Sequence, residues 1–464
     1  MLQSSYDVIV VGGGLAGHCA ALTAAEAGAN VALVEKQATV GGSTVLSGGF
    51  FALAGTPLQQ AAGIRDDSET LLADLRKLGE GAADDDLLRA YADGQGELHR
   101  WLTEQGVVFS ALELSAGQSV ARSHSSDPVS VIETLGARVR NAGSITVSTN
   151  TAARRLSSDA AGEVDGIVLD TDAGEREVRT RRGLVLASGG FSRSDEMLRI
   201  FAPAQTAALK LGGAGNTGDG LRMAWKLGAG FRDMGYIKGT FGAYPESRPG
   251  DHEILLLFYV GAIIVNKHGR RFTDESDSYK IIGDACLAQP DRLGFQVFDD
   301  NIRANASAGV PLFDPASALA RGHVLQAASL AELADRCGID RAALSQTIAR
   351  YNAGVDAGVD PDFSRRGLCN GAGVLTRIER PPFYAYPSTT VVLSTYCGLT
   401  VDPQARVLDV FGAVIPRLYA AGEIMGGFHG PSYMTGSSLG KAAFFGRVAG
   451  RNAARLHNSA ASEH

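Results

Sequence analysis

Residues Tyr6–Lys36 read YDVIVVGGGLAGHCAALTAAEAGANVALVEK: an apolar strand, a glycine turn, an alanine-rich helix and a second apolar strand. Gly12, Gly14 and Gly17 form G-x-G-x-x-G directly after the first strand, and Glu35 ends the second, eighteen residues past Gly17. The stretch is a βαβ unit, and it commits the chain to an α/β fold. Each residue type has a physical reason to be there. The glycines allow a tight turn, close approach of backbone to a pyrophosphate and close helix packing, and the carboxylate meets ribose hydroxyls. Together they predict a dinucleotide site.

The remaining composition narrows the function. With 464 residues, 45% of them hydrophobic, the chain suits two or three domains and a large core. Net charge is −7 and no Lys/Arg block stands out, so neither nucleic acid nor anionic membrane is expected as a partner. Cys19, Cys286, Cys337, Cys369 and Cys397 are scattered without a C-x-x-C pair, which argues against a disulfide framework or a metal site and for a reducing cytoplasm. The start, MLQSSYDVIVVGGG, lacks a basic region and passes directly into a strand, so no signal peptide is expected. The most apolar run, Ile254 to Val265, is too short for a transmembrane segment and is interrupted by Gly261; a buried strand or hairpin is expected there. The 58 glycines cluster in short knots, a pattern suited to backbone packed against a ligand.

Short alternating segments from Ile145 to Gly189 read as a β-meander returning to a strand of the main sheet. A different texture runs from Lys238 to Arg377, and within it SLAELADRCGIDRAALSQTIARYNAGVDAG has the apolar period of two helices. The β-rich, glycine-rich character resumes at Pro381. We therefore expect a Rossmann-like nucleotide-binding domain of parallel sheet plus meander, split into residues 1–237 and 378–464. An inserted α+β capping domain would occupy 238–377. The closing HNSAASEH is expected to fray.

The glycine knots occur as an ordered set: VVGGGLAG, EKQATVGGSTVLSGGF, VLASGGFSRS, GNTGDGLRMAWKLGA, GRRFTDES and LYAAGEIMGG. In this order, over nearly the whole chain, they resemble the flavoprotein superfamily of fumarate reductase, succinate dehydrogenase and 3-ketosteroid dehydrogenases. The resemblance implies FAD. Gly12, Gly14, Gly17, Glu35 and Lys36 would hold its ADP half. Gly41, Gly42, Ser43, Thr44, Gly48, Gly49 and Gly189 would line the pyrophosphate and flavin, in a stretch that places hydroxyls beside bare N–H groups. Members with covalent FAD carry a histidine there; this chain has serine and threonine, so non-covalent FAD is implied. Glu423 would support the flavin or its turn, as would His429. Ser437, Ser438 and Leu439 open an amphipathic helix pattern whose N-terminus, in the family, faces the flavin N1 and O2 edge.

Three departures separate this chain from the fumarate reductases it resembles. After G-E-x-x-G-G those carry H-G-A-N-R, whose arginine binds a substrate carboxylate; here His429, Gly430, Pro431 and Ser432 lead to Tyr433. A few residues after G-x-R-F they carry an arginine that donates a proton to fumarate; here the residue is Tyr279. Ahead of T-x-G-G they carry a histidine pair; here Leu393 and Ser394 stand. The same positions agree better with 3-ketosteroid dehydrogenases, which place a base tyrosine after G-R-F-x-x-E and a ketone-binding tyrosine before a glycine-rich turn. The resemblance thus implies Tyr279 as base, with a lowered pKa, and Tyr433 as donor to the ketone oxygen, aided by a backbone N–H of Gly436 or Ser437. Arg122 and His124, in ARSHSSDP, resemble a substrate-contacting R-x-H stretch, with a structural salt bridge or surface pair as the equal alternative, and Tyr244 and Tyr396 are candidates to line the pocket, with an aromatic core role as the default. Arg270 and Arg271 read as cap surface charges.

The expected activity is an FAD-dependent dehydrogenase, a desaturase that introduces a C=C bond α,β to a ketone in a cyclic substrate, with proton removal by tyrosine and hydride transfer to flavin N5. The substrate would be 4-oxocyclohexanecarboxylate, a substituted cyclohexanone or a 3-oxosteroid, the smaller ring suiting a compact chain, with Arg122 meeting any carboxylate. The external acceptor would be oxygen, a quinone or a carrier protein, since no iron–sulfur or haem motif occurs in the sequence. The alternatives are an enzyme like tricarballylate dehydrogenase or fumarate reductase, acting on an acyclic carboxylate, and a flavin-binding electron-transfer subunit.

Overall fold

A computed structural model describes residues 2–251, 253–306, 308–310, 312–369 and 373–455; the HNSAASEH tail lies outside them. Ser5–Val11 pairs in parallel with Val31–Val34 on one side and with Gly174–Leu186 on the other. The sheet runs, in spatial order, Arg406–Leu408, Val414–Ala420, Gly174–Leu186, Ser5–Val11, Val31–Val34 and Ile145–Ser148. Its inner strands are near-continuous apolar runs because both faces are covered. Helix Leu15–Glu26 packs along helix Ser437–Ala453, and the contact requires small residues: a Cβ on Gly450 would sit 2.2 Å from the Ala20 carbonyl oxygen.

The meander consists of Ala152–Ser158, Val164–Thr171 and the first half of Gly174–Leu186, all antiparallel. Within Gly174–Leu186 the burial turns from mostly exposed to continuous, as the strand leaves the meander and enters the parallel sheet. Ile145–Ser148, expected in the meander, is instead the parallel edge beside Val31–Val34.

A second sheet is built around Phe383–Val392, which pairs with Gly294–Asp299, Thr240–Ala243, Leu325–Ala327 and Leu209–Lys210. By this pairing the second sheet extends beyond residue 377 and, through Leu209–Lys210, begins ahead of residue 238. Helices Leu330–Cys337 and Arg341–Ala357 cover it. Each starts at a side chain that accepts a backbone N–H, Ser329 or Asp340, and ends at a left-handed glycine, Gly338 or Gly358. The run Ile254–Val265 is not one strand: Leu257–Val260 forms a 3-10 turn, Gly261 takes φ +129°, and only Ile263–Val265 pairs with Gly294–Asp299. Arg271 is not a surface charge. It is buried against Glu275 and Asp360, and Arg365 reaches the same Glu275.

A third apolar cluster includes Phe50, Phe241, Leu256, Phe258, Tyr259, Tyr279 and Tyr433, with Tyr396 packed against it. Among the described residues no helix is long and apolar enough to cross a membrane.

Candidate active site

A cavity of about 710 Å³ runs from the first glycine turn to this tyrosine cluster. At one end the turn is fastened by Glu35, whose carboxylate oxygens accept from the N–H of Gly13 at 2.8 Å and of Gln37 at 2.9 Å. Gly12 takes φ +109°, and a Cβ there would meet the Ala187 carbonyl oxygen at 2.3 Å; one on Gly17 would meet the Gly12 carbonyl at 1.8 Å. Gly12, Gly14, Glu35, Lys36, Gly42, Ser43, Thr44, Gly48 and Gly189 line the cavity. Gly17, Gly41 and Gly49 stand behind the lining as packing positions: Gly49 backs onto the Ser126 carbonyl, and a Cβ on Gly41 would strike the Val45 side chain. Lys36 is paired with Asp219 at 2.5 Å and with the Thr217 hydroxyl at 2.6 Å.

This end suits a dinucleotide on its own geometry. Walls of bare backbone alternate with polar atoms, and the buried Ser188 Oγ and Asn216 Oδ1, both on lining residues, have no hydrogen-bond partner within the protein. Glu423 closes the middle. Its carboxylate accepts from Asn216 Nδ2 at 3.0 Å and from the Thr395 N–H at 2.9 Å, and burial pushes its pKa up. No histidine or cysteine lines the cavity among the described residues.

At the other end, helix Ser437–Ala453 starts from Gly436, at φ +86°, with Gly436, Ser438 and Leu439 in the lining. Ser437 turns away and donates to the Met434 carbonyl at 2.7 Å. The Tyr433 ring lies 4.6 Å from the Tyr396 ring, 5.2 Å from His429 and 6.1 Å from Tyr279, centroid to centroid. Burial raises its pKa, against the lowering influence of the neighbouring Ser438, Tyr396 and Gly436 backbone. Tyr279 opens helix Tyr279–Leu287, its N–H bound to the Tyr259 hydroxyl at 3.0 Å and its own hydroxyl accepting from Thr435 Oγ1 at 3.3 Å.

The lowered pKa expected for Tyr279 is absent. Burial, with Tyr433 beside it, holds the phenol well above its ordinary value. A cation does stand near, and sequence reasoning missed it: Lys280 lies 4.6 Å from the Tyr396 ring centre, 5.7 Å from that of Tyr433 and 5.8 Å from that of Tyr279. Thr435 and Thr240, both lining residues, were missed too. Small hydroxyls and a helix lysine carry no motif; the one signal available in the sequence is that Lys280 adjoins Tyr279 and Thr435 follows Tyr433 by two residues.

Three expected substrate contacts lie outside the lining. Arg122 is fully buried in ion pairs with Asp66 at 2.8 Å and Asp74 at 2.5 Å, so its charge is already matched. His124 bonds Thr56 Oγ1 at 2.7 Å, with its pKa pushed down to about 4 by burial. Tyr244 stacks on His323 at 4.0 Å. Tyr396 does line the cavity, as do Leu393 and Ser394. Among the described lining residues Arg193 is the one arginine, and its guanidinium donates to the Lys210 carbonyl. Phe50, Ile254, Leu256 and Leu312 pack around the tyrosines, with the Thr435 hydroxyl and the Lys280 ammonium as the polar groups beside them.

A family described as FAD binding domain matches residues 7–439. The urocanate reductase of Eggerthella lenta is 35% identical over 470 aligned residues, 98% of this chain and 75% of that protein. Among solved structures, the open conformation of a flavocytochrome c3 fumarate reductase is 30% identical with a TM-score of 0.81, over 97% of this chain and 78% of that one. The 3-ketosteroid-Δ4-(5α)-dehydrogenase of Rhodococcus jostii RHA1, solved with 4-androstene-3,17-dione, is 27% identical with a TM-score of 0.78, over 98% of both chains.

Proposed function

The chain belongs to the FAD binding domain family and is an FAD-dependent oxidoreductase acting on CH–CH groups; from that premise we propose that it desaturates a cyclic ketone, forming a C=C bond α,β to the carbonyl. The carrying observation is the substrate end of the cavity, where three phenols converge beside Phe50, Ile254, Leu256 and Leu312, while the one arginine among the described lining residues, Arg193, is held by the Lys210 carbonyl. A neutral ring ketone fits this chemistry better than a carboxylate. Because Arg122 is occupied by Asp66 and Asp74, a simple cyclohexanone or a 3-oxosteroid is favoured over 4-oxocyclohexanecarboxylate.

When bound, FAD supplies the two-electron acceptor for the desaturation. The cradle of Gly12, Gly14, Gly42, Ser43, Thr44 and Gly189 would hold it, non-covalently, since the described lining offers no histidine or cysteine. Tyr433 would donate its hydroxyl hydrogen to the ketone oxygen as negative charge grows there. Its place just ahead of helix Ser437–Ala453 sets that donation beside a helix N-terminus. Tyr279 would take the α-proton as base, and Thr435 Oγ1, bonded to its hydroxyl, orients it. An external acceptor, whether oxygen, a quinone or a carrier protein, completes turnover. The five cysteines, none in a disulfide, suit a cytoplasmic setting.

The likeness to urocanate and fumarate reductases favours one alternative, an enzyme like tricarballylate dehydrogenase or fumarate reductase working on an acyclic carboxylate. Anaerobic mixing of the yellow protein with a 3-oxosteroid, a cyclohexanone, 4-oxocyclohexanecarboxylate, tricarballylate and succinate separates the two. Bleaching by ring ketones with enone appearing supports the proposal. Bleaching by the open-chain acids alone replaces it with the alternative.

A further inference from the structure

Lys280 is 2% exposed, in the first turn of helix Tyr279–Leu287. Its Nζ donates to Thr240 Oγ1 at 2.8 Å and to the Lys238 carbonyl at 3.1 Å, both uncharged acceptors, and its remaining side faces the rings of Tyr396, Tyr433 and Tyr279. The charged or titratable groups that act on it from the surrounding elements are Asp284 on its own helix, Glu423 and His429. Neither carboxylate bonds it: Asp284 is engaged by Gln205 Nε2 and by Lys238, and Glu423 by Asn216 and Thr395. A buried ammonium held only by neutral acceptors and aromatic faces is costly, and a phenolate is the partner that would relieve it.

We propose that Lys280 is a positioning residue for the tyrosine cluster, its ammonium supporting an ionised phenol among Tyr279, Tyr396 and Tyr433 while the substrate proton is taken; this role rests on the ketone reading above. The proton inventory closes. Breaking one phenol O–H and forming one N–H on Lys280 leaves ammonium beside phenolate with no change in the charge of the cluster. The phenolate then takes the α-proton, re-forming its O–H, while the C–H electron pair stays with the substrate as enolate. The charge left behind is that of Lys280, lost when the amine releases its proton to solvent. Thr240 Oγ1, which accepts from Nζ and lines the cavity, connects the amine to that space. Burial brings Lys280 down to about 7 and holds the three phenols above their ordinary value, so ammonium beside phenolate is the minor form, drawn on as the phenolate takes the α-proton.

The test uses the FAD-loaded enzyme as Lys280→Met and as Lys280→Gln, the second keeping a donor for Thr240 and the Lys238 carbonyl without charge. Ultraviolet difference titration of tyrosinate, with no substrate present, is expected to move up by about one pH unit or more in both. With a ring ketone, kcat/KM is expected to fall about tenfold or more and to lose its limb near neutrality. Should Met and Gln both fail to retain FAD, Thr240→Val carries the same expectation at smaller size. Wild-type titration and an unchanged limb in a variant with full FAD overturn the role of Lys280 while leaving the ketone reading standing. A shifted titration in an enzyme that no ring ketone reduces keeps the lysine–phenol coupling and removes the ketone reading instead.

Discussion

Tyr433 and Arg122 illustrate how differently single residues reveal themselves. Tyr433 stands where a family pattern expects a charged side chain, and the structure brings it to the cavity beside Tyr279 and Tyr396. Tyr433→Phe is expected to lower kcat on a ring ketone by ~10²–10³-fold with FAD content unchanged, as read by steady-state kinetics and flavin absorbance. Arg122 sits in a motif of the same family, but its role is fixed by Asp66 and Asp74, which no local pattern connects to it. Removing the guanidinium leaves two acids unpaired, one fully buried. Arg122→Ala is therefore expected to cost about 3–5 kcal/mol of stability, measurable as a lower denaturant midpoint, with KM little changed in the protein that remains folded. Lys280 was illegible for the same reason as Arg122: its meaning comes from rings contributed by residues 396 and 433, far away in sequence.

At the scale of elements, the βαβ unit and the two cap helices were legible because each carries its own punctuation: glycine turn, capping side chain, terminal glycine. Ile254–Val265 was only partly legible, since apolar content alone does not separate a strand from a buried 3-10 turn. Helix Ser437–Ala453 both aims its first turn at the cavity and packs on Leu15–Glu26 through small residues. Gly450→Leu forces the two helices apart and is expected to cost about 1–3 kcal/mol or more, seen as a lower thermal midpoint. Gly12→Val, which combines positive φ with a backbone clash, is expected to yield protein without FAD, read from its absorbance.

For the whole molecule, the second sheet reaches past residue 377 because Phe383–Val392 is its central strand, and the texture of the sequence changes before the pairing does. The cavity is lined from both sheets, by Val11 and Val34 of one and Thr240 of the other, and its tyrosines come from both parts of the chain and assemble only on folding. Burial also sets a global pH response. His18, His124 and His429 are buried with lowered pKa values. Below the unfolded value of about 6.5 the unfolded chain binds protons that the native state refuses, so stability falls as pH drops from there, for His124 down to about 4. Urea midpoints are expected to decline steadily from pH 7 to pH 5, and a flat series would contradict this. The central claim, that paired phenols act on a ketone, is tested most directly by the rate of enone formation by Tyr279→Phe on the best ring ketone, normalised to bound FAD. We predict a drop of ~10²-fold or more; a variant that binds FAD normally and forms enone at the wild-type rate would contradict it.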